Sequence, residues 1–77
     1  MKTMSLHDFR KHYFTNYPNS TMRFGQLFCL VFIPHKNDWQ QLYNETDLYT
    51  ANKLIYRFIL DNNLGSDNIP LLREDLL

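Results

Sequence analysis

The sequence predicts a small all-α fold, a three- to four-helix bundle, and three observations predict it. Apolar residues recur three and four positions apart in stretches near 5–17, 21–33 and 47–62, the spacing that lines one face of an α-helix. Each stretch is preceded by Ser, Thr, Asp or Asn and followed by Pro, Gly or Asn, the usual start and stop chemistry of helices. The chain has only 77 residues, yet it holds one Trp, five Tyr and six Phe. A domain this short has a thin core, and rings that bury roughly 150–250 Å² each are an efficient way to fill one. Residues 1–77 therefore read as a single small helical domain.

The first helix opens at Ser5, with Asp8 three residues on in the manner of a capping box. Asp8 also places a negative charge in the first turn, where the helix dipole favours it. Leu6, Phe9, Tyr13 and Tyr17 follow at helical spacing, with Phe14 beside them. Pro18 disfavours a helical residue before it, which ends the helix near Tyr17. Pro18-Asn19-Ser20-Thr21 then reads as a turn that supplies the cap of the second helix, 21–33.

In that second helix Phe24, Leu27, Phe28 and Val31 keep the period, while Leu30 and Phe32 widen the stripe. A segment apolar nearly all round is the central helix of a bundle. A buried strand over 28–33 is the competing reading, and the length of the segment and its upstream cap favour the helix. Gly25 costs that helix about 1 kcal/mol relative to Ala, which implies a neighbour packed close against it.

Pro34 to Asp38 reads as a loop, and Trp39, Leu42 and Tyr43 form a short helical turn near 38–44. Thr46 or Asp47 caps the last long helix, 47–62, whose apolar face is Leu48, Ala51, Leu54, Ile55, Phe58 and Ile59. Asn62-Asn63-Leu64-Gly65 is its stop, with Asn63 or Gly65 able to take the left-handed cap conformation. Residues 66–77, with Pro70 and four leucines, form a docking tail, either a short helix or an extended strap.

Charge and cysteine usage narrow the function classes. Residues 1–36 hold Lys2, Arg10, Lys11, Arg23 and Lys36 against Asp8, a net of +4. Residues 37–77 hold Lys53, Arg57 and Arg73 against Asp38, Glu45, Asp47, Asp61, Asp67, Glu74 and Asp75, a net of −4. This asymmetry either draws the two halves of the fold together or marks a polar partner surface. Cys29, the single cysteine, lies in an apolar stretch and reads as a buried, inert thiol. A domain of this size without disulfides points to a reducing compartment, the cytoplasm. Lys2 is not followed by an apolar stretch, so no signal peptide is expected. The apolar run from Leu27 to Ile33 is far shorter than the roughly 20 residues that span a bilayer, so no membrane association is expected.

No catalytic constellation stands out. His7, His12 and His35 are scattered and read as surface residues, and no ligand spacing calls for a metal. No phosphate-binding or dinucleotide fingerprint is present, so neither a cofactor nor an enzymatic reaction is expected. Glu45 and Asp47 are better explained as capping residues than as an acid–base pair. Nucleic-acid binding is the runner-up reading. It would use His7, Arg10, Lys11 and His12 on the first helix, because the 47–62 helix has only Lys53 and Arg57 to neutralise phosphates.

Arg23-Phe24-Gly25-Gln26-Leu27, then an apolar helix, then Leu42-Tyr43-Asn44-Glu45-Thr46-Asp47 and a further helix, resemble a family of short uncharacterised bacteriophage and prophage proteins. That family shares an R-x-G-Q motif followed by an apolar helix and an L-[FY]-x-x-x-D segment, and the resemblance covers residues 17 to 59. The chain departs from it at Cys29-Leu30, where a polar residue is common, and in a longer spacer after Pro18. The resemblance implies a helical fold and a mobile-element origin, hence host cytoplasm, and it implies no reaction.

Taken physically, Arg23 and Gln26 fall in the first turn of the central helix, within reach of carbonyls or of the Glu45 and Asp47 carboxylates. Gly25 would let that loop or a helix approach. This is a structural clamp, with partner contact by Arg23 and Gln26 as the alternative. The expected function is non-enzymatic binding of a host or phage protein, modulating host defence or transcription. The expected contacts are Tyr13, Tyr17, Trp39, Tyr43, Tyr49 and Tyr56, whose amphipathic rings suit an interface. Phe9, Phe24, Phe28, Phe32 and Phe58 are expected in the core. Self-association through the aromatics is a third possibility.

Overall fold

The protein is described by a computed structural model over residues 2–17, 21–34 and 36–77. Its helices begin where side chains can accept the first unpaired backbone N–H groups. Ser5 Oγ accepts the Asp8 N–H at 3.0 Å and starts α1, Leu6–Asn16. Asp47 Oδ2 accepts both the N–H and the hydroxyl of Thr50, at 2.9 and 2.8 Å, and starts α4, Leu48–Asp61. Of the two expected caps, Asp47 is therefore the one used. Between them lie α2, Phe24–Phe32, and α3, Gln40–Asn44, the latter entered through a 3-10 turn over Lys36–Trp39. The chain is thus a small all-α bundle.

The start of α2 differs from the expected position near residue 21. Its N-cap is Arg23, in extended conformation at φ −77° and ψ 152°. Gln26 Oε1 accepts the Arg23 N–H at 3.3 Å, which is the returning half of a capping box. The other half cannot form, because a guanidinium has no acceptor. Thr21 lies exposed in a bend before the helix, and Pro18, Asn19 and Ser20 of the expected turn lie outside the described residues.

The end of α4 is a Schellman motif. Asn63, at φ 54°, takes the left-handed position that Asn and Gly favour. The Leu64 N–H reaches the Ile59 carbonyl at 2.9 Å and the Asn63 N–H that of Leu60 at 3.2 Å.

The tail is a strap. Residues Ile69–Pro70 form β2, paired antiparallel with β1, Thr3–Met4, a small addition to the helical fold. Of the two conformations expected for the tail, the extended one is adopted, and Pro70 sits in this two-residue ladder opposite Thr3. The Leu72 and Arg73 N–H groups donate to the Val31 carbonyl at 2.9 and 3.2 Å, satisfying an acceptor at the C-terminal end of α2. A 3-10 turn, Glu74–Leu76, closes the chain. Lys2 and Glu74 form the one ion pair among the described residues, at 3.2 Å and largely exposed, so it contributes little to stability.

The core sits where α1 and α4 meet α2. Phe9 of α1 is fully buried among three α2 rings, Phe24, Phe28 and Phe32, at centroid distances of 5.3, 5.5 and 5.2 Å. Phe58 of α4 meets Phe28 edge-on at 5.8 Å. All five phenylalanines assigned to the core are buried. Arg10 ties α1 to α4, with Nε and Nη2 donating to Asn52 Oδ1 at 3.2 and 2.8 Å.

Candidate interaction surface

The R-x-G-Q residues converge on α3. A Cβ added at Gly25 would overlap the Leu42 carbonyl oxygen and lie 2.8 Å from its Cδ1, so only glycine allows α2 and α3 this approach. One turn away, Arg23 Nε and Nη2 donate to the Tyr43 carbonyl at 3.2 and 3.1 Å. Gln26 Nε2 donates to the Tyr43 hydroxyl at 3.3 Å. The segments Arg23–Leu27 and Leu42–Asp47 are thus in contact through backbone and side chain. Arg23 was expected to reach either carbonyls or the carboxylates of Glu45 and Asp47, and it takes a carbonyl. The carboxylates are used locally: Glu45 Oε1 accepts the Asp47 N–H at 3.1 Å, and Asp47 holds Thr50. Those two hydrogen bonds from Thr50 keep the Asp47 carboxyl below the usual aspartate range.

Most of the tyrosines expected as contacts are committed to the fold. The Tyr13 hydroxyl donates to the Met22 carbonyl at 2.7 Å, and Tyr17 pins the strap by donating to the Leu76 carbonyl at 2.9 Å. Tyr43 is half-buried beneath Arg23, and Trp39 meets Phe58 edge-on at 5.4 Å. Only Tyr49 and Tyr56 of the expected set are exposed, at 68 and 45 %.

Four residues that sequence reasoning passed over are exposed as well: Phe14 at 49 %, Leu48 at 42 %, Leu60 at 75 % and Leu72 at 48 %. Leu48, expected on the core face of α4, stands at the first position of that helix, beside an opening that none of the described residues fills.

That opening is a groove of about 220 Å³. Its walls are Tyr13 and Phe14 of α1 and Leu48 and Ala51 of α4, with Met22, Arg23 and Phe24 on one side and Glu45, Thr46 and Asp47 on the other. Phe14 lies parallel to Phe24 at 6.0 Å, so its outer face forms an apolar ledge supported by the core. The groove is therefore apolar along its walls and acidic at one rim.

No family model, curated protein or solved structure matches this chain.

The remaining chemistry is structural. Burial pushes the Cys29 thiol up to about 12, and its Sγ points to the Trp39 carbonyl at 3.9 Å. A thiol held protonated this firmly is a poor nucleophile, in line with the inert role expected for it. Among the described residues, no three His, Cys, Asp or Glu side chains are placed to share a metal ion.

Of the α1 basic patch, Arg10 is half-buried and fixed by its bonds to Asn52, which leave its charge in place. His12, expected at the surface, is half-buried with its Nε2 enclosed and without a hydrogen-bond partner. His35 lies outside the described residues. No helix is long and apolar enough to cross a membrane among the described residues.

Proposed function

We propose that this chain is a small non-enzymatic protein, encoded by a phage or prophage and acting in the host cytoplasm, that binds another protein through the groove between α1 and the start of α4. The observation that carries the reading is the paired exposure of Phe14 and Leu48, one on each wall of a groove whose rim holds Glu45 and Asp47. A contiguous apolar patch rimmed by polar residues marks an interaction site, and Phe14, Leu48 and Ala51 line one concavity here. An acidic rim around an apolar floor suits a segment that inserts an aliphatic or aromatic side chain and carries a Lys or Arg beside it.

The phage and prophage origin rests on the resemblance of the R-x-G-Q and L-[FY]-x-x-x-D segments. Modulation of host defence or transcription is the role such a binder would serve. In this reading Gln26 helps to fix α3 from behind the groove, while Arg23 fixes α3 and also lines one side of the groove.

The test is affinity capture from bacterial host lysate at physiological salt, using the intact chain beside Phe14→Ser and Leu48→Ser. The expected result is a specific protein recovered by the intact chain and lost with either variant, with helicity unchanged by circular dichroism. Recovery of no specific protein, or capture indifferent to both substitutions, would remove the support for this reading.

A further inference from the structure

The outward face of α4 carries a second pattern that the groove does not use. Tyr49, Lys53, Tyr56 and Leu60 succeed one another at spacings of four, three and four, and all four are exposed. They lie opposite Ala51, Ile55, Phe58 and Ile59, which α4 buries in the core. Spacings of four and three alternating are those of the d and a positions of a heptad, the seam along which two helices pack. From Tyr49 to Leu60 the seam is about 17 Å long.

We infer that this seam is a homodimer interface in which α4 packs antiparallel on α4 of a second copy. The four residues are self-complementary about a two-fold axis, which fits a second copy of the same helix, and the position of Lys53 sets its orientation. In a parallel pair, Lys53 would face Lys53 of the second copy, and two ammonium groups would meet in the seam. In an antiparallel pair about a two-fold axis between Leu54 and Ile55, Lys53 faces Tyr56 of the second copy. The same axis sets Tyr49 against Leu60 of the second copy. Each cation then has an aromatic face, a favourable pairing, and each apolar end has an apolar partner.

The local chemistry is already visible within one chain, where Lys53 Nζ lies 4.5 Å from the centroid of the Tyr49 ring. The zero net charge of the chain imposes no long-range repulsion between copies. Antiparallel alignment also opposes the two helix dipoles, which parallel alignment would not. Because three large side chains and one lysine make a small interface, the dimer is a weak one that forms with concentration.

Sedimentation equilibrium from about 10 μM to about 1 mM reads out the association. The intact chain is expected to pass from monomer to dimer across that range. Leu60→Glu, which adds a carboxylate to the seam at an exposed site, is expected to weaken the dimer roughly tenfold or more while keeping its helicity.

Orientation is read by mixing differently tagged Tyr49→Cys and Leu60→Cys chains under mild oxidation. The antiparallel seam yields mainly the mixed disulfide between the two variants, and buried Cys29 stays silent. An intact chain that is monomeric throughout the range overturns the inference. So does a dimer indifferent to Leu60→Glu, or oxidation that joins like variants in preference to unlike ones. Phe14→Ser leaves dimerisation unchanged, so the seam and the groove can fail separately.

Discussion

The helices α2 and α4 both carry large apolar residues, and they are covered to different extents. In α2 nearly every side chain is enclosed: Phe9 fills one flank, Leu42 presses on Gly25, Phe58 meets another, and the strap closes the C-terminal end. In α4 one face is enclosed and the opposite face offers Tyr49, Tyr56 and Leu60 to solvent. The contrast teaches that aromatic content alone does not separate core from contact. An aromatic on a helix belongs to the fold when neighbouring elements reach both its sides, and α4 has neighbours on one side only.

The enclosed helix should be the most sensitive to change. Phe28→Ala opens a void among Phe9, Phe32 and Phe58, with an expected loss of about 3–5 kcal/mol. That is most of the stability of a domain this size. Urea unfolding should find the midpoint of this variant far below that of the intact chain.

Gly25→Ala comes next. The added methyl gains about 1 kcal/mol of helix propensity, yet it must displace the backbone of α3. A net loss of about 1–3 kcal/mol is expected from overpacking, read as a lower urea midpoint. A gain in stability would mean that α3 is free to move away from α2.

Arg23→Lys sharpens the comparison at the clamp. A lysine keeps the charge but cannot direct two N–H groups at the Tyr43 carbonyl. Since Arg23 is half-exposed, the expected cost is about 1 kcal/mol. If stability is unchanged, the clamp is not structural.

At the start of α4 the expected effect is a pH dependence. The Asp47 carboxyl titrates below its ordinary range in the folded chain, so its contribution is complete above the ordinary carboxylate pKa. It is lost as pH falls through the lower folded value. Thermal melts between neutral pH and about pH 2 should therefore fall less steeply for Asp47→Asn than for the intact chain.

The sequence was legible where periodicity and caps agree. Ser5 could be assigned to its end, and the other two ends narrowed to Thr46 or Asp47 and to Asn63 or Gly65, because a short polar side chain or a left-handed residue is needed there. The five core phenylalanines could be assigned because each falls on a stripe. The clamp was half legible: Gly25 in an apolar helix signalled a close neighbour, but nothing in the sequence says that Arg23 meets a carbonyl rather than the nearby carboxylates.

That the tail docks was legible, but the choice between a short helix and an extended strap was not, because its two-residue ladder and its bonds to Val31 are long-range pairings with no local signature. The contact residues were read least well. Tyr13, Tyr17 and Tyr43 carry hydroxyls that suggest a surface, and each hydroxyl bonds within the fold. Phe14 and Leu48 look like core residues in sequence, and their exposure follows from an opening that only the packing of α1 against α4 creates. Leu60 could have been found, since it continues the four–three spacing of Tyr49, Lys53 and Tyr56 away from the buried stripe.

The difference between the enclosed and the open face of α4 is tested most directly by one urea unfolding curve. The chain carrying Tyr49→Ser, Tyr56→Ser and Leu60→Ser together is unfolded at a concentration low enough to be monomeric. Surface substitutions of this kind shift stability by about 0.5 kcal/mol or less each. The three together should leave the midpoint close to that of the intact chain and well above that of Phe28→Ala. A collapse to the Phe28→Ala level would contradict the account, because it would show that the outer face of α4 is part of what holds the fold together.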